Sequence, residues 1–226
     1  MIPALVSRGF GWGSGVVDPS HQRFLVNIPK NASSYMLNWA VEHRWRAALA
    51  ENHPNVSEMI VILRDPVDRW ISGISQYIST YIQSVHGPNG PVFDTREITR
   101  HDYFLSADQF IQQYTDLTER LFMDAASRFD DHVWPQSELI NGILPGARRV
   151  YFYLDQDLDK HIAQYLDFRE ITGLDRNQGS NNPDQRKIQD FFRDRLRTRP
   201  ELVQRLERHY QSDYDLIKSV EFYGSK

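Results

Sequence analysis

Two short segments of this sequence carry residues suited to holding anions. In Pro29-Lys30-Asn31-Ala32-Ser33-Ser34 a lysine stands beside small residues and two hydroxyls. If the segment turns directly into a helix, the free N–H groups of the first turn, the helix dipole, a compact ammonium and the hydroxyls converge on one place. That place would seat a phosphate carrying a labile group. In Arg64-Asp65-Pro66-Val67-Asp68-Arg69-Trp70-Ile71-Ser72 two arginines precede a serine. A guanidinium fork suits a phosphate dianion, and Ser72 adds a hydroxyl donor. Each segment has a plainer reading taken alone: a capped helix with a solvated lysine, and a surface salt bridge between Asp65 and Arg69.

Their joint placement strengthens the case. Phe24, Leu25, Val26 and Ile28 form an apolar run that Pro29 stops, the pattern of a buried strand. Met59 to Leu63 is an unbroken apolar strand, as expected of one covered on both faces. Each strand delivers one anion segment, and in an open α/β sheet ligands sit beyond the carboxyl ends of the strands. Helices are expected from Ser33 or a near neighbour to about Ala50, from about Val67 to Tyr81, over Ser106 to Asp124, over Asp157 to Asp167, and over Gln185 to Leu206 and Glu207 to Lys218, parted or kinked near the middle. Arg148 to Leu154 is a third strand, and the stretches His86–Asp94 and Asn177–Asp184 are loops. Residues 1–20 read as a flexible lead-in. Their GFGWGSG run lacks both a preceding strand and the lysine that would close a phosphate loop.

The 226 residues carry 26 basic and 30 acidic side chains, a formal net charge of -4. A duplex nucleic-acid partner is therefore not expected. Cysteine is absent, which excludes a disulfide, a thiolate metal site and a cysteine nucleophile. No apolar run has the length of a membrane span, and the N-terminal residues lack the order of a signal peptide, so a cytoplasmic location is expected.

PKNASSY resembles the 5'-phosphosulfate loop of the sulfotransferases that use 3'-phosphoadenosine 5'-phosphosulfate (PAPS), usually PKxGS or PKxGT followed by Ser or Thr. RDPVDRWISGISQY resembles their 3'-phosphate motif, RDPxxRxxSxxxxY. DDHVWPQSEL is similar to a segment of the glycan-type branch, and YQSDYDL to a frequent closing pattern. The resemblance runs from about Phe24 to Tyr223 and implies an α/β fold: a single P-loop-like three-layer domain, residues 21–226, around a central, mainly parallel sheet. It implies transfer of a sulfuryl group from PAPS to a hydroxyl acceptor, a carbohydrate or small molecule, leaving PAP, with no metal required. Lys30 matches the catalytic lysine. Asn31, Ala32, Ser33 and Ser34 match the rest of the 5' loop, and Arg64 and Ser72 match the 3'-phosphate ligands. Ala32 departs from the pattern by standing where glycine is usual; because a positive φ would strain alanine, the loop is expected to be unstrained there or to sit slightly differently.

The chemistry also needs a base for the acceptor proton. Glu42 and His43 lie about 14 Å along the first helix at ~1.5 Å per residue. Glu51 shares the interval between the motifs with them, and His53 and Glu58 precede the second strand, towards the opposite edge of the sheet. His86, His101 and His132 remain. His132 is favoured because of its DDHVWPQ context, where Asp130 or Asp131 could orient it. The alternatives are a P-loop-type kinase, for which the sequence has no GxxxxGK[ST] run, and a non-catalytic phosphate-binding module.

Overall fold

The described residues of the computed structural model are 13–86, 106–116, 119, 123, 132–167 and 182–224. Their strands are β1 (Ser14–Val17), β2 (Arg23–Val26), β3 (Arg46–Leu49), β4 (Glu58–Leu63) and β5 (Arg148–Tyr153). Their α-helices are α1 (Ser33–Glu42), α2 (Pro66–His86), α3 (Ala107–Gln113), α4 (Gln136–Ile140), α5 (Leu158–Leu166), α6 (Pro183–Thr198), α7 (Pro200–His209) and α8 (Gln211–Ser219). The chain gathers into two compact units. The first takes Met1–Asp65, Pro135–Arg176 and Ser212–Lys226, and the second takes Pro66–Trp134 and Asn177–Gln211.

The first unit is an α/β sheet unit with strand order β3-β1-β2-β4-β5. β2, β4 and β5 are parallel neighbours, while β1 runs antiparallel to both β2 and β3. All strands but β1 therefore share one direction, and the sheet is mixed but mostly parallel. Side-chain alternation sorts the core. Val16, Leu25, Ile60, Ile62 and Phe152 join Met36 and Trp39 of α1 and Ile162 of α5 on one face. Val17, Phe24, Met59, Val61 and Leu63 join Ile140 of α4 on the other, with Leu216 and Ile217 of α8 packed against them. Every apolar residue of β4 is buried, from Met59 to Leu63. That explains its unbroken apolar sequence: each such side chain contributes about 1.5–3 kcal/mol on burial, and β4 has no wet face.

Two expectations are corrected here. The glycine-rich lead-in contains β1, which pairs Val16 with Leu25 of β2 on one side and Ala47 of β3 on the other. Only four residues long, it offers too short a stretch for periodicity to register. The first helix stops at Glu42 instead of continuing to Ala50. Arg44 takes a left-handed φ of 64°, and the Trp45 N–H closes back on the Ala40 carbonyl at 2.8 Å. This is a Schellman closure without its usual glycine. Trp45 looks like the next apolar residue of the helical stripe, but its ring packs back on Trp39, centroids 5.7 Å apart, and the chain leaves as β3.

In the second unit α6 packs against α2, α3 and α7. Trp70 meets Phe192 of α6 edge-on at 5.2 Å, and Phe110 and Tyr114 extend that aromatic cluster. Arg195 and Arg199 both pair with the buried Glu119. The C-terminal helices part at Arg199–Pro200, where proline cannot donate to the preceding turn, and again after His209, and not between Leu206 and Glu207, which lie inside α7. Among the described residues no helix is long and apolar enough to cross a membrane.

At the start of β4, Glu58 ties the parallel strands together. It accepts from Arg23 at 3.2 Å and from Tyr165 at 2.6 Å, and it pairs with Arg148. Burial alone would raise its carboxyl, but the bonds from Arg148 and Tyr165 and the charges of Arg148 and Arg23 outweigh it and hold the group below its ordinary value of 4.5. The same cluster pushes the Tyr165 hydroxyl up to about 12, through burial first and then its bond to Glu58. A lowered folded-state carboxyl contributes stability above its unfolded value and loses it as pH falls through the folded one. Glu58→Gln is therefore expected to lower the free energy of unfolding by about 1–2 kcal/mol at neutral pH. The gap from wild type should close as pH falls below 4.5. Urea titrations across that range check this, and a gap that persists in acid would contradict it.

Candidate functional site

β2 and β4 are parallel and adjacent, in register from Arg23↔Glu58 to Leu25↔Ile60. Their carboxyl ends therefore open at one edge, and the loops that follow them meet. The Arg64 Nη1 donates to the Lys30 carbonyl at 3.2 Å, and the Asn31 Nδ2 donates to the Ile62 carbonyl at 2.7 Å. The expectation that Lys30 and Arg64 share an edge holds.

The loop itself is contorted. Lys30 and Ala32 both adopt left-handed backbone, φ 70° and 59°. The Asn31 N–H between them closes a tight turn onto the Ile28 carbonyl at 3.1 Å. Left-handed residues at this spacing resemble the backbone of an anion nest, with the central Asn31 N–H already spent on the Ile28 carbonyl. Ala32 then takes the cap position of α1, since its carbonyl receives the Met36 N–H at 2.9 Å. An alanine has no side-chain oxygen to give the N–H groups of Ser33, Ser34 and Tyr35, and the first turn of α1 has no acidic residue. The positive end of the helix is thus left without a side-chain acceptor from its cap and without a compensating charge. Lys30, Ser33 and Arg64 are half-buried here and Asn31 is buried. Ser34 begins the helix just after Ser33, and its side chain lies outside the described ones.

Behind this loop is a network that sequence reasoning did not assign. The fully buried Gln136, first residue of α4, receives the Arg64 N–H on Oε1 at 3.0 Å and, on the same oxygen, the Asn31 Nδ2. Its Nε2 donates to the Arg64 carbonyl at 2.9 Å and to the Asp213 Oδ2 at 3.3 Å. Asp213, fully buried at the start of α8, also accepts the Gln136 and Ser137 N–H groups, at 2.9 and 2.8 Å, capping α4. Gln136 lies in the DDHVWPQSEL segment and Asp213 in YQSDYDL. The signal for both was therefore present in those segments, but without a role. A pocket beside the loop is lined by Leu25, Asn27, Asn31, Ser33 and Met36. Both amide atoms of Asn27 and the Asn31 Oδ1 are buried with no hydrogen-bond partner among the described residues.

Ser72 and His132 belong to the second unit. Ser72 is half-buried in α2, and its neighbour Gly73 marks a close approach: a Cβ there would stand 2.5 Å from the His132 carbonyl oxygen. Only glycine lets the His132 segment lie on the helix. The buried Arg69 donates to the Trp134 carbonyl, and the Tyr210 hydroxyl donates to the Val133 carbonyl, so the residues after His132 are held from two sides. Arg69 is therefore an internal clamp and not a surface charge. Of the other base candidates, His43 turns its Nδ1 to the Trp39 carbonyl at 2.9 Å, and Glu42 and Glu51 are exposed. His53 stacks on His21 at 5.2 Å, before β4 and so at the far edge from Lys30, and Glu58 is tied up in the cluster with Arg23 and Arg148. His86 ends α2, inside the helix and not in the expected loop, while His101, Asp130 and Asp131 lie outside the described residues. Among the described residues no group of three or more His, Asp or Glu side chains is placed to hold a metal ion.

The left-handed Ala32 gives a direct test of the strain. An L-residue there costs about 1–2 kcal/mol, and glycine removes that cost while adding about 0.5–1 kcal/mol of unfolded-state entropy. Ala32→Gly is expected to raise the unfolding free energy by about 0.5–1 kcal/mol and the thermal midpoint by about 2 °C. Calorimetry reads the sign, and a drop in midpoint would mean that the loop is not left-handed at this residue. No family model matches this chain, and neither a curated protein nor a solved structure matches it.

Proposed function

We propose that this protein is a sulfotransferase that moves the sulfuryl group of PAPS to a hydroxyl acceptor, a carbohydrate by preference, and releases PAP. The observation that carries the reading is the meeting of two anion loops at one sheet edge, with the Arg64 guanidinium bonded to the Lys30 carbonyl below the α1 N-terminus. The apolar clusters on both faces of the sheet support placing this unit in the P-loop-like three-layer class. The donor set fits the group. Lys30, the first-turn amides of α1 and the hydroxyls of Ser33 and Ser34 suit a 5'-phosphosulfate, and the Arg64 fork suits a 3'-phosphate dianion, to which the sequence motif adds Ser72.

When bound, PAPS supplies an electrophilic sulfur whose bond to the bridging oxygen breaks as the acceptor oxygen bonds to it. The residues of the chain do the rest. Lys30 and the first-turn amides of α1 stabilise the negative charge that develops on the departing phosphate oxygen, where preorganised donors are worth most. Arg64 and Ser72 anchor the far end of the nucleotide, so that binding remote from the chemistry holds the reacting atoms in line. His132 takes the proton of the acceptor hydroxyl. The reading calls for no metal, because these cationic groups offset the phosphate charge.

Transfer of labelled sulfuryl from PAPS to a panel of sugars and small alcohols, with ATP as the competing donor, tests the reading. Phosphoryl transfer from ATP would make the protein a kinase, and tight PAP binding with no transfer would make it a binding module. Within that assay, Lys30→Ala is expected to cut single-turnover rate far more than PAP affinity, since the lysine's best contact forms with the developing charge. Lys30→Arg should restore little, because a planar guanidinium does not replace a point charge. A wild-type rate in Lys30→Ala would remove the lysine from the mechanism. His132→Ala should leave PAP binding intact and slow transfer by about 10²–10⁴-fold, with acceptors of more acidic hydroxyl recovering disproportionately. Full activity in that variant would return the base to another histidine or glutamate.

A further inference from the structure

We infer that Gln136 is a positioning residue that fixes the register between the two anion loops of the first unit, and with it the spacing at which two phosphates of one ligand are received. The geometry of this inference is independent of the proposed reaction, and its choice of ligand rests on that reading.

A glutamine side chain offers two acceptor lone pairs and two N–H donors, and all four are used at Gln136. Oε1 takes the Arg64 N–H and one hydrogen of the Asn31 amide. Nε2 gives one hydrogen to the Arg64 carbonyl and the other to Asp213. One buried carboxamide thus holds the main chain of the arginine loop by both of its polar groups and the lysine loop by the side chain at its centre. The rotamer of Gln136 is itself fixed. Asp213 Oδ2 binds both its backbone N–H and its Nε2, while Oδ1 is occupied by the Ser137 N–H and hydroxyl, at 2.8 and 2.7 Å. The Asn31 amide spends its second hydrogen on the Ile62 carbonyl, so it too has one orientation. With the Arg64 fork returning to the Lys30 carbonyl and the Asn31 amide on the Ile62 carbonyl, the two loops are tied at three points, and Gln136 is the bridge that holds both.

Few other side chains can do this. An apolar residue of similar volume would leave the Arg64 N–H and carbonyl and one Asn31 hydrogen buried without this partner, and the Asp213 Oδ2 with only the backbone N–H of residue 136. A ligand with a single phosphate needs one loop in shape. A ligand with two separated phosphates also needs the loops at the right distance, so it depends on Gln136 in a way the first does not.

The test compares wild type with Gln136→Leu and Gln136→Glu by titration with adenosine 3',5'-bisphosphate and with adenosine 5'-phosphate. The bisphosphate affinity of Q136L is expected to fall about tenfold further than its monophosphate affinity, where simple destabilisation would weaken both alike. If Q136L does not fold, Q136E decides. Protonated, its carboxyl keeps an acceptor and one donor. Ionised, it loses both donors and faces Asp213, among neighbours that are otherwise Arg64, Asn31 and Ser137. Its bisphosphate affinity should therefore fall more than tenfold from about pH 5 to about pH 8 relative to wild type. Parallel losses for the two nucleotides, or a Q136E that follows the wild-type pH profile, would overturn the inference. If wild type binds neither nucleotide, the sulfotransferase reading fails instead, and hydrogen exchange at the Arg64 amide settles the positioning role. Exchange about tenfold faster in the variants with β4 core amides unchanged upholds it, and unchanged exchange at Arg64 overturns it.

Discussion

Parallel pairing of β2 with β4 is the constraint on which the anion loops depend. Antiparallel neighbours would send their carboxyl ends to opposite edges, and Lys30 and Arg64 could not meet. Because both strands run the same way and in register, both loops emerge together, close enough for the Arg64 side chain to reach the Lys30 carbonyl. The rest of the first unit maintains that pairing. β4 is buried on both faces, Glu58 pins the amino ends of β2, β4 and β5 through Arg23 and Arg148, and Gln136 pins the carboxyl ends. The sheet is held at its two edges by different chemistry: an ion-pair cluster at one and a buried amide at the other.

The working edge is also where the local costs collect. Lys30 and Ala32 occupy a backbone region that L-residues avoid, Asn27 and Asn31 keep buried polar atoms without a partner among the described residues, and Asp213 is a fully buried carboxylate. Each of these opposes folding by about 1–3 kcal/mol unless it is compensated. Asp213 is compensated by four hydrogen bonds, and the loop by its ties to Gln136 and Arg64. The remainder is the kind of local conflict between sequence and fold that concentrates where a protein meets a ligand.

Much of this was legible in the sequence because it rests on local pattern. The apolar runs Phe24–Ile28 and Met59–Leu63 and the two charged segments after them required no tertiary information. The misreadings have physical reasons. β1 is too short to show alternation and is recruited by pairing on both sides. The end of α1 is set by Arg44 in a left-handed conformation that its residue type does not advertise, and Trp45 imitates a helical position while packing back on Trp39. Gln136 and Asp213 could not be assigned from spacing, since their meaning comes from hydrogen bonds spanning 72 and 77 positions of chain. Gly73 likewise shows its purpose only once His132 is laid against it.

The clasp has a consequence for the order in which the molecule is made. The strands and loops that carry Lys30 and Arg64 leave the ribosome early, Gln136 follows much later, and Asp213 arrives only with α8. Until then the two loops have the sheet pairing of their strands to hold them but no carboxamide between them. The clasp between the two loops therefore closes only after α8 has been made and packed. Should the loops receive two phosphates of one ligand, as proposed, that ligand would tell chains with α8 in place from chains without it.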